Sequence, residues 1–569
     1  MKSIRLILVT AAIALVQAEL QAATITVGAD PACHVHSLQA ALAITNTNAQ
    51  DDEVRLANNM VFDHIAITKT DTDTLAIRGG YPNCASANPL GPPTVLDGSG
   101  GPRSVIEASA GALVLVNLQI EGAVLPGEDS TGGGVNVIQA ATRVELKDVR
   151  ISRNTAHNGG GLAIVGSDLN TIRVTAERLV LDRNIASGNG GGMFARYANG
   201  TVSGLLVERN HAFNNGGGVW MGRDAVLFNR NGKNRSGFFK NVAGNNGGGL
   251  AIDGGAMEMF ETSPGLDPAA FADNSARIGG GVHVFNDRPN TSAAFNASGI
   301  TAYRNHASEE GGFAAVDIRA EDSTPVFGGI HVSASAPPVG GGSFAYCNVA
   351  ISCNVFSENE ARDSKGALRP GALVSIRNQG KGAAGFARFW NSSLRSNAGY
   401  NLVQNISDMQ TDWAQEIHFK NALIEGNALE KNLVDAQGFG SIYIESATVT
   451  QNEVHAALIT GQNAIYLHGS IFTDDAALLE NITAQTSAFT LMVRNADGLS
   501  GFPLVEQNDP RFVDPLNHDF QLAPDSPALD REWNDGFNLF DLNLKPRNVD
   551  LPWVVDVNTP RDLGCFERQ

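Results

Sequence analysis

The stretch DNSARIGGGVHV, residues 273–284, contains the pattern that decides the fold of this chain. An asparagine is followed five residues later by a glycine triplet and then by alternating apolar residues. Glycine triplets begin at Gly132, Gly159, Gly190, Gly216, Gly247, Gly279 and Gly340, and a Gly-Gly pair begins at Gly311. Successive copies lie between 26 (190 to 216) and 32 (247 to 279) residues apart. A near-constant period of this length is typical of stacked supersecondary units.

Each period contains two short strands. Apolar residues alternate before the asparagine, as at Leu179 and Leu181, and again after the glycines, as at Met193 and Ala195. A unit of about 30 residues without helical periodicity is too short for strand–helix–strand repeats. It fits one turn of a parallel β-helix, in which each strand pairs with its copy in the next coil at about 4.8 Å. We therefore predict an all-β fold, a single-stranded right-handed parallel β-helix (solenoid) with a short N-terminal capping helix.

The repeated asparagines lie at one corner of the predicted coils. They are Asn154, Asn184, Asn210, Asn241, Asn274 and Asn305. Amides stacked at the same corner can donate and accept along the axis, so we predict a structural ladder. The alternative is that asparagine and glycine only form surface turns.

The two ends of the sequence lack the repeat pattern of its middle. Residues 1–23 resemble a signal peptide, because Lys2 and Arg5 precede the apolar run 6–16 and small residues follow it. Residues 24–95 are predicted to form an N-terminal cap and first coils, with a short helix over 37–44, and residues 96–500 the β-helix. The Pro- and Asp-rich residues 501–569 are predicted to form a C-terminal cap region.

Cysteine usage and charge set the predicted compartment and partners. We predict disulfides Cys33–Cys84 and Cys347–Cys353, which suit a secreted, extracellular or bacterial outer-surface protein, and Cys565 is left over. No paired CxxC spacing occurs, and the sequence predicts neither a metal site nor a cofactor. The net charge of −19 disfavours nucleic acid as a partner. No later apolar run is long enough to span a membrane, and we expect a monomer.

A predicted outer strip offers candidate ligand contacts. If the first and third residues after the glycines point inward, the second and fourth point outward. This strip contains Phe194, Arg196, Trp220, Asp253, His283 and Phe285. Aromatic rings can stack on sugar rings, so the strip predicts a polysaccharide groove. The alternative is that these residues form a satellite core under a loop.

Two further sets of charged residues follow the coil period. The first is a row of cations before the asparagines, at Arg153, Arg183, Arg209, Lys240 and Arg304, which suits either an acidic polymer or local pairing with Asp182 and Glu208. The second set contains the candidate catalytic residues, Asp253, Asp287, Asp317 and Arg196. A hydrolase needs converging carboxylates, and a lyase needs a basic residue beside a carboxylate cluster.

The repeats resemble those of the polymorphic outer-membrane proteins and of the wider pectin-lyase-like right-handed β-helix superfamily. The stretch Asp509-Pro510-Arg511-Phe512-Val513-Asp514-Pro515 and the closing Asp562-Leu563-Gly564-Cys565-Phe566-Glu567 are similar to the choice-of-anchor region of secreted bacterial β-helix proteins. The superfamily contains lyases, hydrolases, epimerases and adhesins, so the resemblance implies a fold more than a function. We expect a non-catalytic surface protein that binds cell-surface glycans or mediates adhesion; the alternative is a polysaccharide lyase or glycoside hydrolase that acts on an acidic polysaccharide.

Overall fold

Strands account for nearly all the regular structure of this chain. The computed structural model describes residues 24–46, 50–231, 236–261, 269–288, 291–319, 326–332, 354–379, 383–407, 415–438, 440–462, 464–482, 486–502, 504–533, 540–543 and 545–569. The predicted signal peptide and the predicted disulfide Cys347–Cys353 lie outside these residues. Within these described ranges one α-helix, Leu38–Thr45, and one 3-10 helix, Pro515–Asn517, interrupt the strands.

The strands are Thr24–Val27, Asp52–Ala57, Ile67–Lys69, Thr74–Tyr81, Thr94–Asp97, Ile106–Glu121, Val135–Ser152, Thr155–Ala156, Leu162–Val165, Ile172–Asp182, Ile185–Ala186, Met193–Arg196, Ala198–Glu208, His211–Ala212, Val219–Gly222, Val226–Asn231, Gly237–Phe239, Val242–Ala243, Leu250–Asp253, Ala256–Glu261, Ala269–Ala272, Ser275–Ile278, Val282–Asn286, Ala293–Ser298, Ile300–Tyr303, His306–Glu310, Ala314–Ile318, Val326–Val332, Asn354–Ser357, Glu360–Ala361, Val374–Asn378, Ala383–Arg395, Ala398–Ser407, Gln415–Glu425, Ala428–Gln437, Gly440–Glu445, Thr448–Thr450, Glu453–Val454, Ile459–Gly461, Ala464–His468, Ile471–Phe472, Leu479–Glu480, Thr486–Phe489, Leu491–Val493, Val505–Glu506, Phe512–Asp514 and Asp519–Leu522.

Coils stack in register along the chain. Met193 pairs with Leu162 of the preceding coil and Val219 of the following one, and Val219 pairs in turn with Leu250. Within the described residues, 45 strands form one continuous sheet whose strand pairings are parallel. Only Phe512–Asp514 and Asp519–Leu522 form a separate antiparallel pair. The predicted parallel β-helix is confirmed.

The corner asparagines hydrogen-bond to one another along the axis. The Nδ2 of Asn184 donates to Oδ1 of Asn210 at 3.0 Å, and Asn210 donates in the same way to Asn241. The chain of bonds runs through Asn154, Asn184, Asn210, Asn241, Asn274, Asn305, Asn359, Asn397, Asn427 and Asn452 to Asp474. Each backbone N–H of a rung also donates to the next rung, as Asn184 N does to Asn210 Oδ1. The Nδ2 group of each of these rungs also donates to a backbone carbonyl of the preceding coil, as Asn184 does to Ile151 O and Asn210 to Leu181 O, so each amide bridges the coils on both sides.

The residue before a ladder asparagine turns the chain. Arg153, Arg183 and Arg209 have φ values of 56°, 54° and 55°, in the left-handed region. Their side chains pair with acids, since Arg209 Nε lies 2.9 Å from Asp182 Oδ1 and Arg183 Nη1 lies 3.2 Å from Asp182 Oδ2. In this part of the cation row the arginines pair with neighbouring acidic side chains, which is the second of the two alternatives considered for the row.

Apolar side chains fill the interior of the coils. Phenylalanines stack inside successive coils, and the rings of Phe238 and Phe271 lie 4.6 Å apart with an interplanar angle of 7°. Phe313, Phe356 and Phe389 continue the packing edge to face. All five are fully buried.

The N-terminal helix and a disulfide close the first coils. The Ser37 side chain caps the helix by accepting from Ala40 N–H, and Leu38, Ala41 and Leu42 are buried. The predicted disulfide Cys33–Cys84 is confirmed. Cys565 is a buried free thiol, and burial raises its pKa to about 12.

One coil departs from the predicted register. The rule that the first and third residues after the glycines point inward assigns Phe313 and Ala315 to the interior when it is counted from Gly311-Gly312; Phe313 does lie in the core, but Ala315 does not point inward. The structure pairs Val282 with Ala314 and His283 with Ala315, which places Ala315 and Asp317 on the outer strip. Phe313 occupies the place of the third glycine in this coil, so every later residue shifts by one and changes face.

Candidate functional site

The predicted outer strip lies in one column of the sheet, in two rows. Phe194 pairs with Trp220, and Trp220 with Ala251, which pairs with His283. In the second row Arg196 pairs with Gly222, then Asp253, then Phe285. The structure thus brings the six predicted ligand-binding residues, Phe194, Arg196, Trp220, Asp253, His283 and Phe285, onto adjacent strands.

The rings of this strip are buried rather than open. The Phe194 and Trp220 rings stack with centroids 4.5 Å apart, and the residues are only 6% and 8% exposed. A Cβ added at Gly222 would lie 2.3 Å from Trp220 Cη2, so the indole folds over the space that glycine leaves. With Ala251 these rings form a small separate cluster, as the satellite-core alternative predicts. Their faces are therefore not free to stack on a sugar.

His283 is also enclosed. It is 4% exposed, and burial lowers its pKa to about 4. A neutral, enclosed imidazole lies too deep to contact a ligand on the outer surface as the strip predicted. Phe285 is only partly buried, and the guanidinium of Arg319 lies over its ring at 5.6 Å.

Arg196 and Asp253 are unusual among the charged residues of the strip. Arg196 Nε and Asp253 Oδ1 are both buried and have no hydrogen-bond partner. Arg288 Nη2 lies 3.6 Å from Asp253 Oδ2, and Arg288 Nε lies 3.6 Å from Asp287 Oδ1. Desolvation raises the pKa of Asp253 and lowers that of Arg196. A carboxyl with a raised pKa, in one row with an arginine whose Nε has no partner, suits proton transfer or recognition of an anion.

Asp317, the remaining catalytic candidate, is paired elsewhere. Arg319 Nη2 donates to its Oδ2 at 2.6 Å, and Arg319 Nε to its Oδ1 at 3.0 Å. Asp253 and Asp287 thus share Arg288, while Asp317 is engaged by Arg319. The three predicted carboxylates thus belong to two ion-paired groups, and Arg196 belongs to neither.

A second outer surface, which the sequence reasoning missed, lies on later coils. We call it the aromatic face; its members are His331, Arg388, Trp390, Glu416, His418, Lys420, Tyr443, Glu445 and Tyr466. The register places His331, Arg388, His418, Tyr443 and Tyr466 side by side on successive strands. Their neighbours along each strand, such as Ile417 and Phe419, are fully buried, so the aromatic face points outward.

Ring contacts run along the whole aromatic face. The centroid separations are 4.9 Å from His331 to Trp390 and 5.5 Å from Trp390 to His418. They are 5.2 Å from His418 to Tyr443 and 4.7 Å from Tyr443 to Tyr466. The two tyrosines are parallel within 9°, and all five residues are partly buried.

Ion pairs interleave with these rings. Arg388 Nε and Nη2 donate to the two oxygens of Glu416 at 2.8 and 2.5 Å. His418 lies between two carboxylates, with Nδ1 3.3 Å from Glu416 Oε1 and Nε2 3.1 Å from Glu445 Oε2. Lys420 Nζ is 3.6 Å from Glu445 Oε2. Donors and acceptors therefore alternate over three coils.

The contacts of His418 with Glu416 and Glu445 shift the pKa values of these residues. Desolvation favours the neutral imidazole, but the hydrogen bonds that the ring donates to the Glu416 and Glu445 carboxylates outweigh it and raise the pKa of His418. Desolvation also opposes ionisation of Glu416, yet His418 and Arg388 lower the pKa of that carboxyl to about 2. Glu416 is therefore ionised at neutral pH, and His418 holds its proton more strongly than a free histidine.

Comparisons with known proteins add no relative. No protein-family model matches the chain, and no curated protein matches it. Among the described residues, no helix has the length and apolar character needed to cross a membrane.

Proposed function

We propose that this chain is a secreted or cell-surface β-helix protein that binds a polysaccharide along the aromatic face. The carrying observation is the unbroken row of partly exposed rings and ion pairs from His331 to Tyr466. Coils repeat at about 4.8 Å, so the row offers the same kinds of contact at regular steps to an extended polymer. The disulfide Cys33–Cys84 is compatible with an oxidising compartment.

Hydrogen bonding carries more of this proposed recognition than ring stacking. Tyr443 and Tyr466 cover one another's faces, so they offer ring edges and hydroxyl groups to the outside. Arg388 and Lys420 add donors, and Glu416 and Glu445 add acceptors. Opposite charges balance along the row, which suits a hydroxyl-rich glycan.

The family assignment belongs to the same proposal. The glycine-marked repeats and the closing Asp562–Glu567 stretch resemble the pectin-lyase-like superfamily and the choice-of-anchor region of secreted bacterial proteins. The stacked parallel coils support membership of that broad class. We propose adhesion to a glycan-bearing surface as the role of such binding.

Glycan arrays test for binding, and titration of the full chain with the polysaccharides that bind on the array then measures the affinity. Tyr466→Ala and Trp390→Ala should each weaken binding at least about tenfold, the equivalent of about 1.4 kcal/mol. The matched control is Trp553→Ala, since this tryptophan is 66% exposed and lies outside the aromatic face. Unchanged affinity in both aromatic-face variants, or an equal loss in the control, would refute this location.

A second candidate function rests on Arg196 and Asp253. The raised pKa of Asp253 and the unpartnered Nε of Arg196 in the same row favour a lyase or hydrolase that acts on an acidic polysaccharide. β-Elimination creates a carbon–carbon double bond that absorbs ultraviolet light, whereas hydrolysis yields reducing ends without it. Activity on polyuronates that Asp253→Asn abolishes and Asp287→Asn spares would establish this function. Polyuronates left intact by the wild-type chain would exclude that substrate class for this site.

A further inference from the structure

The C-terminal segment, residues 504–569, packs against the side of the last coils through a buried ionic network. Arg547 and Glu532 are fully buried, and Arg547 Nη2 lies 3.0 Å from Glu532 Oε2. Arg547 Nε lies 3.6 Å from Glu567 Oε2. Ser446 on the coil donates to Glu532 Oε1. In this network a cation faces each of these two buried carboxylates, as burial of charge requires.

Asp530, a few residues away in the same segment, lacks that compensation. It is 0% exposed, and neither carboxylate oxygen has a hydrogen-bond partner. Its backbone is firmly held, because its N–H donates to Asp562 Oδ1 at 2.9 Å and its carbonyl accepts from Val557 N–H at 3.1 Å. A buried, unpaired carboxylate costs several kcal/mol.

The surroundings of Asp530 make an anion there still less favourable. Burial, together with the negative charges of Asp562, Asp556 and Asp550, raises its pKa to about 6. The backbone N–H of Leu551 opposes them only weakly. Three further carboxyl groups therefore act on Asp530, whereas Arg547, which donates to the Asp562 carbonyl at 3.0 Å, is not among the charges that shift the pKa of Asp530.

We propose that Asp530 and Asp562, with the loop 550–557, bind a divalent cation, Ca²⁺ in preference to Mg²⁺. Ca²⁺ takes about six to eight oxygen ligands in flexible geometry, from carboxylates, backbone carbonyls and water. Among the described residues no three acidic, histidine or cysteine side chains already meet at one point. In this proposal backbone carbonyls of the loop and water would supply the remaining ligands beside the Asp530 carboxylate.

This arrangement favours Ca²⁺ over other cations by its chemistry. The candidate ligands are oxygens, which exclude a zinc site of the cysteine and histidine type. Mg²⁺ demands near-ideal octahedral geometry and gives up its water reluctantly, whereas an irregular loop suits Ca²⁺. Bound Ca²⁺ would tie the loop 550–557 to Asp530 and so fasten the segment that covers the last coils.

The test uses the full chain after treatment with EGTA. Calorimetric titration with CaCl₂ should show binding, the melting temperature should rise with Ca²⁺, and MgCl₂ should bind at least about tenfold more weakly. Asp530→Asn should weaken Ca²⁺ binding at least about tenfold. Because this nearly isosteric change removes an unpaired buried charge, the variant should match or exceed the wild-type melting temperature in EGTA, which separates loss of a ligand from loss of the fold.

The matched control is Asp525→Asn, which alters an exposed carboxylate of the same segment that pairs with Arg511 at 2.7 Å. This variant should bind Ca²⁺ as the wild type does. Three results would each overturn the proposal: no binding heat and no melting shift with millimolar CaCl₂, equal binding by Asp530→Asn, or an equal loss in Asp525→Asn.

Discussion

Replacing Asp474 with asparagine should stabilise the protein at alkaline pH and have little effect at acidic pH. Asp474 ends the asparagine ladder; its two oxygens accept from Asn452 N–H and Nδ2–H at 2.9 Å each. It is 6% exposed, and desolvation raises its pKa from 3.8 to about 6 despite these bonds. A shift of about 2 units corresponds to about 3 kcal/mol.

The sign follows from proton binding. A carboxyl whose folded-state pKa lies above its unfolded value binds a proton more tightly in the folded chain. The resulting stabilisation is complete below about pH 4 and is lost as the pH rises through about 6. Asparagine does not titrate, and its single Oδ1 accepts both bonds at every earlier rung, as Asn210 does from Asn184. Asp474→Asn should therefore be more stable than the wild type by up to about 3 kcal/mol at pH 8, and equal to it within about 0.5 kcal/mol at pH 4.

Urea unfolding followed by circular dichroism at pH 4 and pH 8 measures this difference. Because a solenoid unfolds from its weaker coils, a change at the last rungs affects the observed transition. The matched control is Asp475→Asn, where the neighbouring side chain is 84% exposed and pairs with Arg494. That change should alter stability by no more than about 0.5 kcal/mol at either pH. A less stable Asp474→Asn at pH 8, or a gain of equal size at both pH values, would refute the reasoning.

Three further outcomes are expected. Asn210→Ala should cost about 3–5 kcal/mol in urea unfolding, because Asn184 loses the acceptor for its backbone N–H and its Nδ2; a cost below about 1 kcal/mol would contradict the ladder's energetic role. Reducing the Cys33–Cys84 disulfide, which spans 51 residues, should cost about 4 kcal/mol by loop entropy and lower the melting temperature of the N-terminal coils. His418→Gln should destabilise the protein more at pH 6 than at pH 9, since a raised histidine pKa stabilises the fold below that pKa and the effect is lost above it; equal melting shifts at both pH values would contradict this.

The solenoid could be predicted because it repeats a local rule. Asparagine, glycine run and apolar alternation recur at one period, and the ladder bonds between Asn184, Asn210 and Asn241 follow once coils of that period stack. The predicted ladder ended at Asn305, because the later rungs lack a glycine run, although the coil rhythm continues in the sequence at Asn397, Asn427 and Asn452. Asn359, Asn397 and Asn427 continue the same chain of hydrogen bonds, so the asparagine ladder forms at this corner of the coils even where no glycine run follows.

The exposure of outer residues could not be predicted from alternation alone. Alternation correctly places Trp220 on the outer side of its strand, but exposure depends on the size of its neighbours. Gly222 has no side chain, so the indole lies flat over it and stacks on Phe194 instead of facing solvent. A Gly–Trp spacing of two residues on one face is the signal that would have indicated this packing.

The aromatic face shows where the register of the coils carries functional information. Its residues are spread over coils whose repeat is not marked by glycine, so no column could be drawn through Trp390, His418 and Tyr443 from sequence spacing. The ladder supplies that missing reference: counting from Asn397, Asn427 and Asn452, Trp390 lies seven positions back (397 − 390), whereas His418 and Tyr443 lie nine positions back (427 − 418, 452 − 443). The constant offset of nine explains why His418 and Tyr443 pair directly across adjacent strands, while Trp390, two positions further along its strand, pairs with Lys420. Two residues along a strand preserve the face, so all three rings remain on the outer side; Trp390 contacts His418 diagonally, and His418 contacts Tyr443 directly across the strands.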